Sequence, residues 1–317
     1  MSGPAVERRD VRRDGVRLAV EVAGEGPVVV LAHGFPELAF SWRHQVPALV
    51  EAGYTVATLD QRGYGRSERP AAIEAYDVVQ LGADLLAVLD ELGVAQGSIV
   101  GHDWGAVVAW QLALLAPDRV RAVVGMSVPF LPRPSVPPLA RLAERFRDRF
   151  FYILYFQEPG VADAELGADP ARTMRMLLAG RPVAGPAEGG GFLDRLEEPA
   201  ELPGWLSQAE LDHYVAEFTR TGFTGGLNWY RNLDRNWALT APLAGAHVRC
   251  PSRFIAGAAD PVLSFSPPAA GAGLLDDHRG DLLLEGAGHW VQQERPAEVN
   301  AALIEFLDDV HDRRTPS

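Results

Sequence analysis

Apolar residues fall along this chain in two rhythms. Near-continuous apolar runs occur at residues 28–32, 55–59, 98–101 and 120–126, and residues 16–22 read as a further strand. Runs that are apolar on both faces suit strands buried within a parallel sheet. Between them, Val78, Leu81, Leu85, Val88, Leu89 and Leu92 recur at three- and four-residue steps, the spacing of one face of a helix. Residues 106–115 are apolar almost all round, which predicts a helix buried in the molecule. Strand and helix alternating in this way predict an α/β fold with a mostly parallel central sheet flanked by helices.

The rhythm breaks near Pro129. Residues 131–236 are rich in proline and aromatics and show no strand rhythm. They contain helical pieces at 139–149 and 208–219 and a Gly/Pro-rich loop at 179–191, expected to be mobile. Strand–helix alternation returns at 252–256 and 282–284, and Val299, Leu303, Phe306 and Val310 mark a last amphipathic helix. The reading is one core domain, residues 1–130 and 237–317, interrupted by an inserted helical cap, residues 131–236. No internal repeat is visible.

Composition narrows the function. With 317 residues and 47% hydrophobic content, the chain can bury a large core and still carry an insertion. A net charge of −13 argues against nucleic acid or an anionic membrane as partner. The 29 basic residues are all arginine, which removes lysine Schiff bases, the Walker A lysine and Ser-Lys hydrolases together. The single cysteine, Cys250, allows neither an internal disulfide nor a thiolate metal cluster. The eight histidines show no His-Glu-x-x-His pattern, and no glycine-rich dinucleotide fingerprint opens a helix. No metal and no cofactor are expected. Residues 1–13 lack the apolar run of a signal peptide, and no stretch approaches the roughly 18 apolar residues of a membrane span. The expectation is a cytoplasmic protein acting on a small molecule and water, with a homodimer left open.

The strongest chemical signal is Gly101-His102-Asp103-Trp104-Gly105, which follows a strand and opens the apolar helix. Glycines two before and two after the central residue mark a nucleophile elbow, a sharp strand–turn–helix that projects its central side chain over the carboxyl edge of a sheet. That position normally holds serine; here it is Asp103. Read alone, Asp103 could equally be an ordinary helix cap. A carboxylate nucleophile yields an ester, whose hydrolysis needs a water, a base and a group to orient the base. His289, in Gly288-His289-Trp290 after the last strand, is the base candidate. Asp260, in Ala259-Asp260-Pro261 after the preceding strand, is the acid that would orient it. The order nucleophile, acid, histidine is that of α/β-hydrolases. In His33-Gly34-Phe35-Pro36, the Phe35 amide is placed to form an oxyanion hole with the amide of Trp104, the Phe35-Pro36 bond is open to the cis form, and His33 is expected to hold the loop. Asp60-Gln61-Arg62-Gly63-Tyr64-Gly65-Arg66-Ser67 reads as a structural turn.

Over almost its whole length the chain resembles the soluble epoxide hydrolases of the α/β-hydrolase fold. The resemblance rests on His33-Gly34-Phe35-Pro36-Glu37, the Asp103 elbow, Gly288-His289-Trp290, and two segments of the insertion. These are Tyr152-Ile153-Leu154-Tyr155-Phe156-Gln157-Glu158-Pro159-Gly160 and Gly226-Leu227-Asn228-Trp229-Tyr230-Arg231-Asn232. It implies that Tyr152 and Tyr230 bind and protonate the epoxide oxygen, with Tyr155 as the rival to Tyr152. It implies a two-step hydrolysis to a vicinal diol. The competing reading is a haloalkane or haloacetate dehalogenase, which uses the same nucleophile, base and acid but holds a leaving halide with N–H donors. The aromatic residues Phe150, Phe151, Phe156, Trp205 and Trp229 point to a hydrophobic pocket and an apolar epoxide.

Overall fold

The computed structural model describes residues 5–183 and 189–312. The strands are β1 (Val6–Arg13), β2 (Val16–Ala23), β3 (Val28–Ala32), β4 (Thr55–Asp60), β5 (Gly97–His102), β6 (Val120–Met126), β7 (Arg181–Pro182), β8 (Leu196–Glu197), β9 (Val248–Gly257) and β10 (Leu275–Leu284). Among the described residues, eight of them form one sheet in the order β1-β2-β4-β3-β5-β6-β9-β10. Pairing is parallel from β4 across to β10, and β1 and β2 add an antiparallel edge. This is the α/β-hydrolase arrangement, a mostly parallel sheet between helices.

Strand alternation divides the interior into two layers. Val30 and Ala32 of β3 face the side covered by α2 (Val78–Glu91) and α3 (Trp104–Leu115). Val29 and Leu31 face the opposite side, where α1 (Gln45–Glu51) and α11 (Pro296–Val310) bring Leu49, Val299, Leu303 and Phe306. Asp77 starts α2 by accepting from the amides of Val79 and Gln80, and its buried stripe is Leu81, Leu85, Val88 and Leu89. No described helix is long and apolar enough to cross a membrane.

Between β6 and β9 the chain leaves the sheet. It forms α4 (Pro138–Arg145), α5 (Tyr152–Tyr155), α6 (Val161–Ala168), α7 (Pro170–Ala179), the small β7–β8 ladder, α8 (Gln208–Thr221), α9 (Thr224–Arg231) and α10 (Leu233–Leu239). Part of the glycine-rich loop expected at 179–191, residues 184–188, lies outside the described residues. The insertion is bonded to the core loop that follows β4. The Trp229 indole donates to the Arg62 carbonyl at 3.2 Å, Asn232 to that of Ile73 at 2.6 Å, and Arg220 to that of Gly65 at 2.8 Å. That loop is itself fixed by a buried Arg62–Asp84 ion pair at 2.7 Å and by Asp60, whose carboxylate accepts the amides of Ala39 and Arg66.

Three elements differ from the pattern reading. β1 is a strand although most of its residues are exposed and polar. It is held as an edge by pairing alone, through a two-residue turn in which Asp14 and Gly15 both have positive φ. β10 begins at Leu275 because its exposed first half pairs with β9 without an apolar signature. The helix expected over 139–149 stops at Arg145, where Phe146 turns inward to stack on Phe151 at 3.8 Å.

Candidate active site

β3 lies between β4 and β5, so the segments leaving β3 and β5 at their carboxyl ends diverge and open a crevice. Asp103 occupies the β5–α3 junction with φ +53° and ψ −119°, a strained conformation for a residue with a side chain. The elbow leaves no room for larger neighbours. A Cβ on Gly101 would fall 2.1 Å from the Gly105 carbonyl oxygen, and one on Gly105 would fall 2.0 Å from that of Ala32. Although Asp103 precedes the helix, its side chain makes no capping bond. It turns the other way, and Oδ1 accepts the Phe35 amide at 2.8 Å. The Phe35-Pro36 peptide bond is cis. The Trp104 amide opens α3, where no intrahelical acceptor exists for it.

Oδ2 of Asp103 lies 3.6 Å from Nε2 of His289. The other ring nitrogen, Nδ1, donates to Asp260 at 2.9 Å, and the second oxygen of Asp260 accepts the Val262 amide at 2.9 Å. The fold thus brings Asp103, His289 and Asp260 into one chain of contacts across 186 positions of sequence. Burial lowers the proton affinity of His289, but the Asp260 charge and hydrogen bond and the nearby Asp103 charge outweigh it and hold the imidazole well above its usual range. Burial likewise pushes Asp260 up, and the charge and hydrogen bond of His289 more than reverse this, leaving it lowered.

Above Asp103 lies a cavity of about 920 Å³. Asp103, His289, Tyr152 and Tyr230 all line it, with an apolar wall that includes Phe150, Phe151, Phe156 and Trp205. The two tyrosine rings sit 6.0 Å apart between centroids. Burial raises both phenols, and the Asp103 charge raises them further, so both keep their protons at neutral pH. Tyr155, three residues beyond Tyr152, leaves the cavity. It packs on Phe150 at 5.3 Å, and the nearby Glu165 carboxylate adds to the burial that raises its phenol to about 12. Trp229, expected in the pocket wall, faces the core loop instead, because residues adjacent on a helix point about 100° apart.

Beneath the site lies a buried polar cluster that motif reading passes over. Glu37 and His102 are both fully buried and meet at 2.6 Å. His102 Nε2 lies 2.7 Å from the His289 carbonyl, so this ring links Glu37 to the backbone of the base candidate. Glu37 also accepts from Gln292 at 2.9 Å, Gln293 at 3.1 Å and the Gly34 amide at 3.1 Å. Burial would raise Glu37, yet the His102 charge and these bonds hold it at about 2. Ser127 adds a second donor to the His289 carbonyl at 2.7 Å. The available signal was a charged residue inside each of two glycine-bearing motifs next to buried strands. By contrast, His33 is held neutral by burial, donates to the Gly34 carbonyl and accepts the Gln61 amide.

Residues 27–296 match the model of the alpha/beta hydrolase fold family. The chain is 59% identical to epoxide hydrolase A of Mycobacterium tuberculosis over 96% of its own length and 98% of that protein. It is 38% identical to epoxide hydrolase 3 of Siraitia grosvenorii, again over 96% and 98%. The crystal structure of epoxide hydrolase A from Mycobacterium thermoresistibile superposes with a TM-score of 0.92 at 58% identity, covering 96% of this chain and 98% of the other. An epoxide hydrolase from an endophytic Streptomyces gives 0.91 at 41% identity, covering 98% and 97%. With this fold, and with an aspartate at the elbow beneath a cavity flanked by two tyrosines, the chain belongs to the epoxide hydrolases of the α/β-hydrolase family.

Proposed function

We propose that the protein hydrolyses an apolar epoxide to a vicinal diol through a covalent ester on Asp103. One observation carries the reading: Asp103 holds one carboxylate oxygen on the Phe35 amide and keeps the other toward His289, in a cavity that also presents two protonated phenols. In the first step Oδ2 of Asp103 attacks an epoxide carbon, and the ring C–O bond breaks. The departing oxygen takes a proton from Tyr152 or Tyr230, because an alkoxide is a far stronger base than a phenolate. Alkylation neutralises Asp103 and removes one of the two carboxylates that hold the proton on His289. That proton can then return to the phenolate, which leaves a neutral imidazole.

In the second step His289, oriented by Asp260, takes a proton from water while the oxygen attacks the ester carbonyl. The amides of Phe35 and Trp104 receive the oxyanion charge. Collapse expels the diol, whose new alkoxide takes the proton from His289; the Asp103 acid left behind passes its proton to His289, which restores the carboxylate and the protonated imidazole with which the cycle began. Epoxide and water enter, and a diol leaves. The inserted residues 131–236 act in this scheme as a cap on the core of 1–130 and 237–317, with α5 and α9 bringing the tyrosines over the elbow.

The Trp104 indole favours this over halide release. It packs edge-on against the Tyr230 ring at 5.1 Å and is not among the described residues that line the cavity, where Phe35 contributes an apolar ring instead. The test is diol formation from a panel of aryl and alkyl epoxides, with halide release from haloalkanes measured alongside. Diol formation that disappears in Asp103→Ala supports the reading. Halide release without diol overturns it.

A further inference from the structure

We infer that Gln157 is the positioning residue that sets the spacing of the two tyrosines, an inference that rests on the reading of Tyr152 and Tyr230 as the proton donors. Gln157 lies just beyond α5. Its side-chain amide donates to the Ile153 carbonyl at 2.8 Å and to the Tyr230 carbonyl at 3.1 Å. Both partners are carbonyl oxygens, so only the NH2 end of the amide can face them. One proton therefore goes to the turn that carries Tyr152 and the other to the backbone of Tyr230 itself.

The two segments it joins are unequally anchored. α9 is bonded to the core through Trp229 and neighbouring Asn232. α5 has only four residues, too few to hold a helical position by its own hydrogen bonds. Its polar ties to α9 are the Gln157 amide and the Arg231 guanidinium, which donates to the Phe156 carbonyl at 3.1 Å. Of these, Gln157 alone contacts the peptide of a tyrosine. Two phenols serve one epoxide oxygen only if both reach it within about 2.6–3.2 Å. Geometry of this kind is unforgiving, since a shift of about 1 Å can cost on the order of 10²-fold in rate. Without the bridge α5 is free to drift from α9. Ring opening should then slow, while ester hydrolysis, carried by His289 and Asp260 on the core, should not.

The experiment is single-turnover kinetics with styrene oxide and excess enzyme, following the Asp103 ester by rapid quench and mass spectrometry. Gln157→Leu is expected to slow ester formation about tenfold and to leave ester breakdown within about twofold of wild type. Unchanged ester formation in folded Gln157→Leu overturns the inference, as does an equal fall in both steps. Gln157→Glu keeps the test open if the leucine variant fails to fold. Its carboxylate can donate to neither carbonyl, whereas the protonated acid donates to one. Its rate of ester formation relative to wild type should therefore rise as pH falls from 8 to 5, and a flat ratio overturns the inference. Tyr152→Phe and Tyr230→Phe run as controls: if neither slows ester formation, it is the underlying reading that fails. If they do and the Gln157 variants do not, the inference alone fails.

Discussion

Nε2 of His289 stands 3.6 Å from Oδ2 of Asp103, whereas its Nδ1 stands 2.9 Å from Asp260. The close partner orients the ring. The distant one is slightly beyond hydrogen-bond reach and free to move toward a substrate carbon. This inequality fits a base that acts in the second step and a nucleophile that acts in the first.

Replacing the base should separate the two steps. His289→Gln keeps Asp103 and both tyrosines, so one turnover of ester formation is expected. Ester breakdown should fall by about 10²- to 10⁴-fold, the usual worth of a positioned general base. Intact-protein mass spectrometry should show one epoxide mass added per chain, and an unmodified enzyme after incubation would count against the ester.

The same residue predicts a pH-dependent stability. The folded state raises the His289 proton affinity above its unfolded value of about 6.5. Its contribution is therefore fully present below about pH 6.5 and is lost as pH rises through the folded pKa. Wild type should lose stability relative to His289→Gln as pH rises from 6 to 9 in urea denaturation. A constant difference across that range would contradict the assignment.

The tyrosines should behave unequally. On the proposed scheme Tyr152→Phe and Tyr230→Phe each remove a proton donor and should slow ester formation by about 10- to 10²-fold. Tyr155→Phe removes a hydroxyl that does not line the cavity and should leave the rate within about twofold. Rapid-quench measurement of ester formation distinguishes them.

Glu37→Gln should destabilise the fold more than its place in a loop suggests. It removes one partner of a fully buried pair, a loss that typically costs about 3–5 kcal/mol. The loss should shrink below pH 4.5, because the Glu37 contribution is present above that value and disappears as pH falls toward about 2. Chemical denaturation at pH 7 and at pH 3.5 checks both statements.

Much of this molecule was legible because its determinants are local. A strand buried on two faces must be apolar along its length, so β3 and β6 stand out as runs. An elbow that brings backbones within contact distance must have glycine at positions 101 and 105, so the place of Asp103 could be read from five residues. Edge strands such as β1 are held by backbone pairing, which any side chain permits, so they carry no apolar signature. Tyr152 and Tyr155 lie three residues apart on one short helix, and only packing against Phe156 and Tyr230 decides which of them enters the cavity. The Glu37–His102 pair spans 65 positions of sequence and lies wholly in the interior. A buried charge is tolerable only beside its partner, and that partner exists for Glu37 only once β5 has been laid beside β3.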